Sequence, residues 1–259
     1  MDQVSKLLTD FVGLWRICGA SIALKWLLSV VVRFGPILKQ GNLKPADRAM
    51  GDGPFEVRFP RAHSSFRIEG LEAMSGIREM YVRDVYLGGG ILKIADGDTV
   101  VDLGGNMGNF TNLALAHGEN VRVVTVEPNP RLIDNFELSV GLNAGHRERA
   151  TLLRGFVGSL PEDLKPGADM APLISEDELI ERGKLTHIDF LKCDVEGGEF
   201  GLLTRDSKLL AMAQFLGIEI HAFAGDVRHF MSEVEKSGFQ FVKVKWDPDG
   251  TCTALAKHV

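Results

Sequence analysis

Residues 100–115, VVDLGGNMGNFTNLAL, join an apolar run, an acid, a glycine-rich turn and the start of an apolar helix. The apolar run ends at Asp102, and Gly104, Gly105 and Gly108 lie in the turn that follows it. Glycines let a backbone turn tightly and pass close to a ligand. This stretch therefore predicts the first strand–loop–helix unit of an α/β fold, with a ligand-binding loop at the end of the strand.

Similar apolar runs, suited to buried parallel strands, recur along the rest of the chain. Strands are predicted at 99–103, 122–126, 150–153, 188–193 and 215–220, followed by a hairpin of 239–245 and 251–257. Helices are predicted at 72–87, 110–117, 130–144 and 175–182, and a short strand pair at 55–60 and 65–68. Alternating strands and helices indicate an α/β fold with a doubly wound, mostly parallel sheet.

The composition limits the class of protein. A chain of 259 residues that is 45% hydrophobic can bury one large core. Its net charge of -6 argues against nucleic acid as a partner, because no overall basic surface is available to bind phosphates. Three cysteines lie far apart without CxxC spacing, so neither a disulfide framework nor a structural zinc site is expected. We expect a reducing, cytoplasmic location.

The first part of the chain differs in charge and hydropathy from the rest. Residues 1–45 contain six basic and two acidic residues, a net of +4, which leaves -10 for the remainder. The apolar run 17–35 is interrupted by Lys25 and is too short on either side to span a membrane. We therefore expect residues 1–50 to be a helical extension with a linker around 41–54, and residues 51–259 to be the main domain.

Helical spacing predicts one apolar face on this extension, formed by Val4, Leu8, Phe11, Trp15, Cys18 and Ile22. Such a face packs on the domain or on a second subunit. The alternative is a helix that lies in a membrane interface, with its basic residues at the flanks. The sequence leaves open both homo-oligomer contact and peripheral membrane contact through residues 1–35, the latter at the inner face of the membrane.

The ligand of the glycine loop can be narrowed by its chemistry. The dinucleotide fingerprint G-x-G-x-x-G fails here, because Asn106 and Asn109 stand where it requires glycine. Asp102 precedes the loop and suits a cationic group, and Glu127 ends the next strand, where a carboxylate can accept ribose hydroxyls. S-adenosylmethionine has a positive amino group and sulfonium, a ribose and no phosphate, and it fits this pattern.

Three stretches together resemble the FkbM-type S-adenosylmethionine-dependent methyltransferases: VVDLGGNMGNFTNLAL, VTVEPNP with the following NFELSVGLN, and IDFLKCDVEGGEFGLL. The resemblance runs from about residue 72 to the C-terminal hairpin. We therefore expect the main domain, residues 51–259, to be a methyltransferase domain. It implies a class I methyltransferase fold, Rossmann-like, with a seven-stranded sheet whose last strand is antiparallel. It also implies O-methylation of sugar or polyketide hydroxyls. Gly105 departs from the family pattern, in which alanine is more frequent.

The resemblance assigns the methionine part of the cofactor to the glycine loop, the ribose to Glu127 and the adenine to Phe156 and Val157. The residues that we expect to line the cofactor are Asp102, Gly104, Gly105, Asn106, Gly108, Asn109, Glu127, Pro128, Phe156, Val157 and Asp194.

Residues 192–200, KCDVEGGEF, place acids at the end of a predicted buried strand. Asp194 and Glu196 should meet Glu219 and His221 from the next strand end, because carboxyl ends of parallel strands share one sheet edge. His221 is the expected general base for a hydroxyl acceptor, with the three acids around it. A divalent metal such as Mg²⁺ or Mn²⁺ held by Asp194, Glu219 and His221 is a less favoured alternative. Glu199 is expected only to complement a helix dipole.

The expected function is thus an O-methyltransferase acting on a small molecule or glycan with a free hydroxyl. Residues 161–173, a predicted loop, are expected to decide which acceptor is used. Two other classes remain open at this level: a nicotinamide-dependent oxidoreductase on a similar sheet, and a non-catalytic binding module.

Overall fold

The computed structural model describes residues 3–158 and 171–259. Most of the predicted acceptor loop, 161–173, therefore lies outside the described residues. The strands are β1 (Phe55–Val57), β2 (Phe66–Ile68), β3 (Thr99–Leu103), β4 (Arg122–Glu127), β5 (Ala150–Arg154), β6 (Phe156–Val157), β7 (Leu173–Ile174), β8 (Ile188–Cys193), β9 (Ala213–Ile220), β10 (Phe239–Trp246) and β11 (Cys252–His258).

Short and medium helices connect these strands. The α-helices are α1 (Gln3–Cys18), α2 (Ala20–Val32), α3 (Phe34–Gln40), α4 (Lys44–Arg48), α5 (Ala73–Gly76), α6 (Asn109–Leu115), α7 (Pro130–Gly141), α8 (His146–Arg149), α9 (Glu176–Gly183), α10 (Glu199–Leu202), α11 (Lys208–Met212) and α12 (Val227–Lys236). A π-helix, Ile77–Val82, follows α5 directly.

Seven strands form the central sheet in the spatial order β10–β11–β9–β8–β3–β4–β5. The five strands from β9 to β5 are parallel, and β11 runs antiparallel to both of its neighbours. The sequence predicted all seven strands, each to within two residues at either end. The doubly wound class I methyltransferase fold, with its last strand antiparallel, is therefore confirmed.

The sheet is covered on both faces, which explains why its strands read as apolar runs rather than as alternating ones. Neighbouring residues of β3 enter different cores: Val100 packs with Phe110 and Phe190 on one side, and Val101 with Leu191 on the other. Successive side chains of a strand point to opposite faces. Strand order reverses between β3 and β8, and in such sheets ligands bind outside the carboxyl ends of the strands at that point.

The helix predicted over 72–87 is shorter and differently wound. It consists of α5 and the π-helix Ile77–Val82, followed by turns. Two polar side chains of the π-helix, Arg78 and Tyr81, are buried, and the Tyr81 hydroxyl donates to the Asn109 carbonyl over 2.8 Å. These contacts are tertiary, so hydrophobic periodicity could not report them.

The first two helices of the N-terminal region, α1 and α2, are separated at Gly19 and pack against each other. The predicted apolar face is wrong in part, because Leu8 and Trp15 are 61% and 48% exposed. Phe11, Cys18 and Ile22 are partly buried, as predicted, whereas the Val4 side chain lies outside the described residues. Among the α1 side chains that the structure describes, the buried ones are instead Asp10, Leu14 and Ile17.

A buried ion-pair network sets that orientation. Arg78 lies 2.5 Å from Asp10 and 2.6 Å from Asp47, and Asp47 also accepts a hydrogen bond of 2.8 Å from the Trp26 indole. Asp47 lies in α4, inside the segment 41–54 that was predicted as a linker. Buried charges are stable only when they are paired and hydrogen-bonded, so these contacts hold α1, α2 and α4 onto the π-helix. The N-terminal helices thus share one core with the sheet.

Candidate active site

The predicted site residues gather at the sheet edge where β3, β4, β8 and β9 end. In the parallel register Asp102 lies beside Lys192 and Leu103 beside Cys193. The glycine loop and residues 194–199, the DVEGGE turn, therefore leave the sheet next to each other. The Asp194 amide donates to the Leu103 carbonyl over 3.0 Å and joins the two turns.

Gly104 allows this close approach. Its φ is +78°, and a Cβ atom there would lie 1.8 Å from the Asp194 carbonyl oxygen. A side chain at this position is therefore excluded by both conformation and space. The glycine is required by the contact between two strand-end turns, which is a packing role in addition to the expected ligand approach. Asn106, the tip of the loop, is exposed and has a φ of 49°.

Asp102 lies beneath the loop rather than at its surface. Its carboxylate is fully buried, receives a hydrogen bond of 2.8 Å from Thr111 and lies 3.1 Å from the ammonium of Lys192. Lys192 also donates to the Gly104 carbonyl over 2.5 Å. Burial lowers the pKa of Lys192, but Asp102 and Asp194 outweigh this and raise it, so the ammonium stays charged. Sequence reasoning missed Lys192, although a lysine in a buried strand always requires a partner.

Glu127 ends β4 and supports the same loop. One carboxylate oxygen accepts from the Asn106 amide and the other from the Asn129 amide, both over 2.8 Å. Burial raises the pKa of Glu127, and the two backbone hydrogen bonds oppose that shift. Each oxygen still has a second lone pair for a ligand.

The remaining residues predicted to contact the cofactor surround this edge at different depths. Pro128 and Phe156 are partly exposed, whereas Val157, Gly105 and Gly108 are buried. Asn109 is buried too, and its Oδ1 accepts no hydrogen bond from any residue that the structure describes. A buried acceptor without a donor is unfavourable, so a ligand or water that donates to it would stabilise the site.

His221 lies among four acids, Asp194, Glu196, Glu199 and Glu219, which together are called the acidic group. Its backbone amide donates to Glu199 over 2.7 Å, and its Nδ1 lies 3.0 Å from the same Glu199 oxygen. The other Glu199 oxygen accepts from the Gly197 amide over 2.8 Å. Glu199 is fully buried. The structure therefore gives it a more specific contact than the expected helix-dipole role, and sequence reasoning could not find it, since 22 residues separate the partners.

The opposite ring nitrogen of His221 faces the other acids. Nε2 lies 3.6 Å from Glu196 and 4.0 Å from Asp194. Asp194, Glu219 and His221 each offer one atom that could coordinate a metal ion, and these three atoms all lie within 4.8 Å of one another. The Glu196 side chain is 83% exposed, whereas that of Asp194 is 27% exposed. Tyr86, which the sequence did not single out, donates to Asp194 over 3.0 Å.

This arrangement changes the proton affinity of two groups. Burial lowers the pKa of His221, but Glu199, Asp194 and Glu219 outweigh it and raise the pKa from 6.5 to about 9. Burial, together with the charge of Asp194, raises the pKa of Glu219 from 4.5 to about 7. In the free protein at neutral pH, the imidazole is therefore an imidazolium among carboxylates.

A family model for the methyltransferase FkbM domain matches residues 102–241, more than half of the chain. The chain belongs to this family. As a member of the FkbM family it is an S-adenosylmethionine-dependent methyltransferase, which the glycine loop and Glu127 had predicted. The matched range includes the glycine loop, Glu127 and the whole acidic group.

Among curated proteins, the chain is similar to the hexuronic acid methyltransferase AglP of Haloferax volcanii. The two are 25% identical over 199 residues, which cover 71% of this chain and 82% of that protein.

Solved structures with a similar fold include a methyltransferase FkbM from Methylobacillus flagellatus. It is 16% identical, has a TM-score of 0.48, and the match covers 71% of this chain and 54% of that one. They also include Aeropyrum pernix fibrillarin with natively bound S-adenosyl-L-methionine, which is 15% identical. That match has a TM-score of 0.45 and covers 67% of this chain and 73% of that one.

Proposed function

We propose that this FkbM-family protein transfers a methyl group from S-adenosylmethionine to a hydroxyl of a sugar in a glycan. The observation that carries the proposal is His221, held at Nδ1 by the buried Glu199 and facing Asp194 and Glu196 with its other nitrogen, with Glu219 close to the ring. The similarity to a hexuronic acid methyltransferase supports a sugar acceptor over a polyketide one.

The strand ends suit the cofactor. When bound, S-adenosylmethionine supplies an electrophilic methyl group on a positively charged sulfur. The exposed edge of the glycine loop and the partly exposed Asp194 would hold its cationic methionine part. Asp102 would support the loop from below, because it pairs with Lys192, which donates to the Gly104 carbonyl. Glu127 would bind the ribose with its free lone pairs, and Phe156 and Val157 would flank the adenine. The unsatisfied Asn109 acceptor fits a site that a ligand or ordered water completes.

Glu199 prepares His221 to act as the base. A hydrogen bond from Nδ1–H to Glu199 fixes the ring orientation and leaves Nε2 as the nitrogen that accepts a proton. The imidazolium must first lose its proton. Once Asp194 compensates the positive charge of a bound cofactor, it stabilises the imidazolium less, so the pKa of His221 falls towards the working range of a base.

The charge of the rim favours a hydroxyl over a carboxylate as the acceptor. Three carboxylates, those of Asp194, Glu196 and Glu199, face one imidazolium, and Glu219, whose pKa is about 7, adds a partial negative charge at neutral pH. These residues together therefore stay negative even beside a cationic cofactor. Like charges at short range repel, and an anionic acceptor would be disfavoured. A neutral hydroxyl meets no such cost, and the same carboxylates can accept its hydrogen bonds.

A divalent metal at Asp194, Glu219 and His221 is the less favoured alternative. Metal binding requires a neutral imidazole, and a raised His221 pKa means that a cation competes with a firmly held proton. Turnover that persists after treatment with EDTA would agree with the metal-free mechanism. Loss of turnover that Mg²⁺ or Mn²⁺ restores would replace it.

We further propose that Phe223 contacts the sugar. The residue is 72% exposed, the centroid of its ring lies 5.4 Å from that of the His221 ring, and the ring packs over Gly197. A large aromatic face left open beside the proposed base can cover the apolar C–H face of a pyranose.

The test uses methyl-labelled S-adenosylmethionine with methyl glucuronide and methyl glucoside as probes. We expect more label from the neutral methyl glucoside than from the anionic methyl glucuronide, and in each case a product that survives mild alkali, as a methyl ether does and a methyl ester does not. His221→Ala should lose about 10²–10⁴-fold in turnover, the usual contribution of a positioned base. An alkali-labile product would contradict the hydroxyl acceptor, and unchanged turnover in the variant would contradict the base.

Thermal unfolding with S-adenosylhomocysteine or NADH separates the cofactor from the acceptor. A ligand at 100 times its dissociation constant stabilises the fold by about 2.7 kcal/mol. We expect S-adenosylhomocysteine alone to do so, in wild type and in His221→Ala. Stabilisation by NADH alone would support the oxidoreductase alternative instead. Stabilisation by S-adenosylhomocysteine without label in any acceptor would support a binding module.

A further inference from the structure

Helix α2 is apolar on two opposite sides, and only one of them is buried. Ala23, Trp26 and Val30 pack into the core. On the other side Leu28 and Val31 are 63% and 66% exposed. A helix that is apolar all round is normally enclosed by protein or lipid. The outer side of α2 therefore lacks the cover that its composition indicates.

This exposed surface continues past the end of α2 into α3. We define the N-terminal apolar face as the exposed residues Leu24, Leu28, Val31, Val32, Phe34 and Leu38. Exposed apolar residues scattered singly are normal, but six within 15 positions of two consecutive helices are not scattered. Among the described residues no single helix is long and apolar enough to cross a membrane; α2 and α3, bent by 73°, pass that test only as a pair.

The surroundings of this face are cationic. Between Asp10 and Asp47 the sequence contains Arg16, Lys25, Arg33, Lys39 and Lys44 and no acidic residue. Lys25, Arg33 and Lys39 are exposed within the face itself. Asp10 and Asp47 do not offset them, because both are buried and paired with Arg78. A protein with a net charge of -6 thus presents one apolar and positively charged surface.

We propose that α2 and α3 bind an anionic lipid surface and lie in its interface without crossing it. Interfacial helices combine an apolar face inserted among the acyl chains with lysines and arginines near the headgroups. Each such basic residue adds attraction to anionic lipid. A symmetric dimer through this face is the weaker alternative, because both copies would bring the same positive charges together. The proposal does not depend on the acceptor or on methyl transfer.

Co-sedimentation of the full chain with vesicles tests the binding. We expect the protein to sediment with vesicles of phosphatidylcholine and phosphatidylglycerol, less so at high salt, and to remain in solution with phosphatidylcholine alone. Lys25→Gln with Lys39→Gln should weaken binding roughly 30-fold, about fivefold per lost charge. Failure of the wild type to sediment with the anionic vesicles would overturn the proposal.

A matched pair of variants separates the face from general hydrophobicity. Leu28→Glu with Val31→Glu should abolish sedimentation, and Leu71→Glu with Leu138→Glu, which adds the same charge at other exposed apolar sites, should not. Unfolding curves of both variants check that they fold. Equal loss in the two variants would overturn the proposal. So would a wild-type dimer, found by light scattering, that only the first variant dissociates and that does not bind vesicles.

Discussion

Single residues at the site act mainly through the charges of their neighbours. The pKa of His221 is raised because a buried carboxylate, Glu199, accepts from its Nδ1, and Lys192 remains charged because Asp102 and Asp194 surround it. In both cases desolvation disfavours the cation, and close carboxylates outweigh it. The protein thus holds two cations among acids at the edge where a third, the cofactor, is proposed to bind.

Glu199→Gln tests this balance at the residue scale. The substitution keeps an oxygen that can accept from His221 but removes the charge, so the pKa of His221 should fall below about 9. An NMR titration of the histidine ring in the free protein measures this directly. Glu178→Gln, at a partly exposed acid of α9 that pairs with Arg182, is the matched control and should leave the titration unchanged. An unchanged His221 pKa in Glu199→Gln would show that the other carboxylates set it.

The pH dependence of turnover offers a second readout of the same residue. A base with a pKa of about 9 in the free enzyme should give kcat/KM for S-adenosylmethionine an ascending limb near that pH. The limb in kcat reports the complex and should lie at lower pH, because Asp194 then compensates another cation. Ascending limbs at the same pH in both profiles would contradict the proposal that the bound cofactor lowers the pKa of His221.

Among the elements, the turns after β8 and β9 form the site together. The DVEGGE turn brings Asp194 and Glu199, and the turn after β9 brings His221 and Phe223, so neither turn is a site alone. Gly197 is a point of contact, because a Cβ there would lie 3.0 Å from the Phe223 ring. Phe223 is therefore supported from below while its outer face stays open.

Phe223→Ala tests the role proposed for the turn after β9. An aromatic face contributes about 0.5–1.5 kcal/mol beyond its buried area, so we expect the acceptor KM to rise about two- to twelvefold. The change in kcat should be smaller, and the binding of S-adenosylhomocysteine should not change. Phe223→Trp should restore the lower KM, and Leu138→Ala, at an exposed apolar residue of α7, serves as a neutral control. A loss confined to kcat would argue against contact with the sugar.

At the scale of the whole molecule, the raised pKa values of Glu219 and His221 make the folded protein less stable as the pH rises. Glu219 has a pKa of about 7 when folded and an ordinary value of 4.5, and His221 has about 9 against 6.5. Between pH 4.5 and about 7 for Glu219, and between pH 6.5 and about 9 for His221, the folded state binds more protons than the unfolded state. The free energy of unfolding therefore falls as the pH rises through these ranges. The His221 contribution is complete below 6.5 and is lost as the pH passes about 9.

Denaturant unfolding between pH 5 and pH 9 measures this effect in the free protein. The free energy of unfolding should fall with pH in the wild type, and less steeply when His221→Asn and Glu219→Gln are combined. Glu178→Gln should follow the wild type. Parallel curves for the wild type and the combined variant would mean that these two groups do not bind protons differently in the folded state.

The strand pattern and the strand-end acids could be predicted because they depend on local features of the chain. Buried parallel strands read as apolar runs, and each acid that follows such a run is carried to the same edge. The ending of β4 at Glu127 and the placement of Asp194 beside His221 followed from this rule, and the loop VVDLGGNMGNF was recognised by its three glycines.

The sequence by itself determined the sheet, the family resemblance and the residues at the strand ends. Only the tertiary structure decided that Glu199 orients His221, that Lys192 lies under the glycine loop, and that Arg78 turns Asp10 of α1 inward. Each of these depends on a charged side chain meeting a partner distant in sequence. Periodicity records which side of an element is apolar. It does not record where a buried charge finds its counterion, because that pairing exists only after the elements have packed.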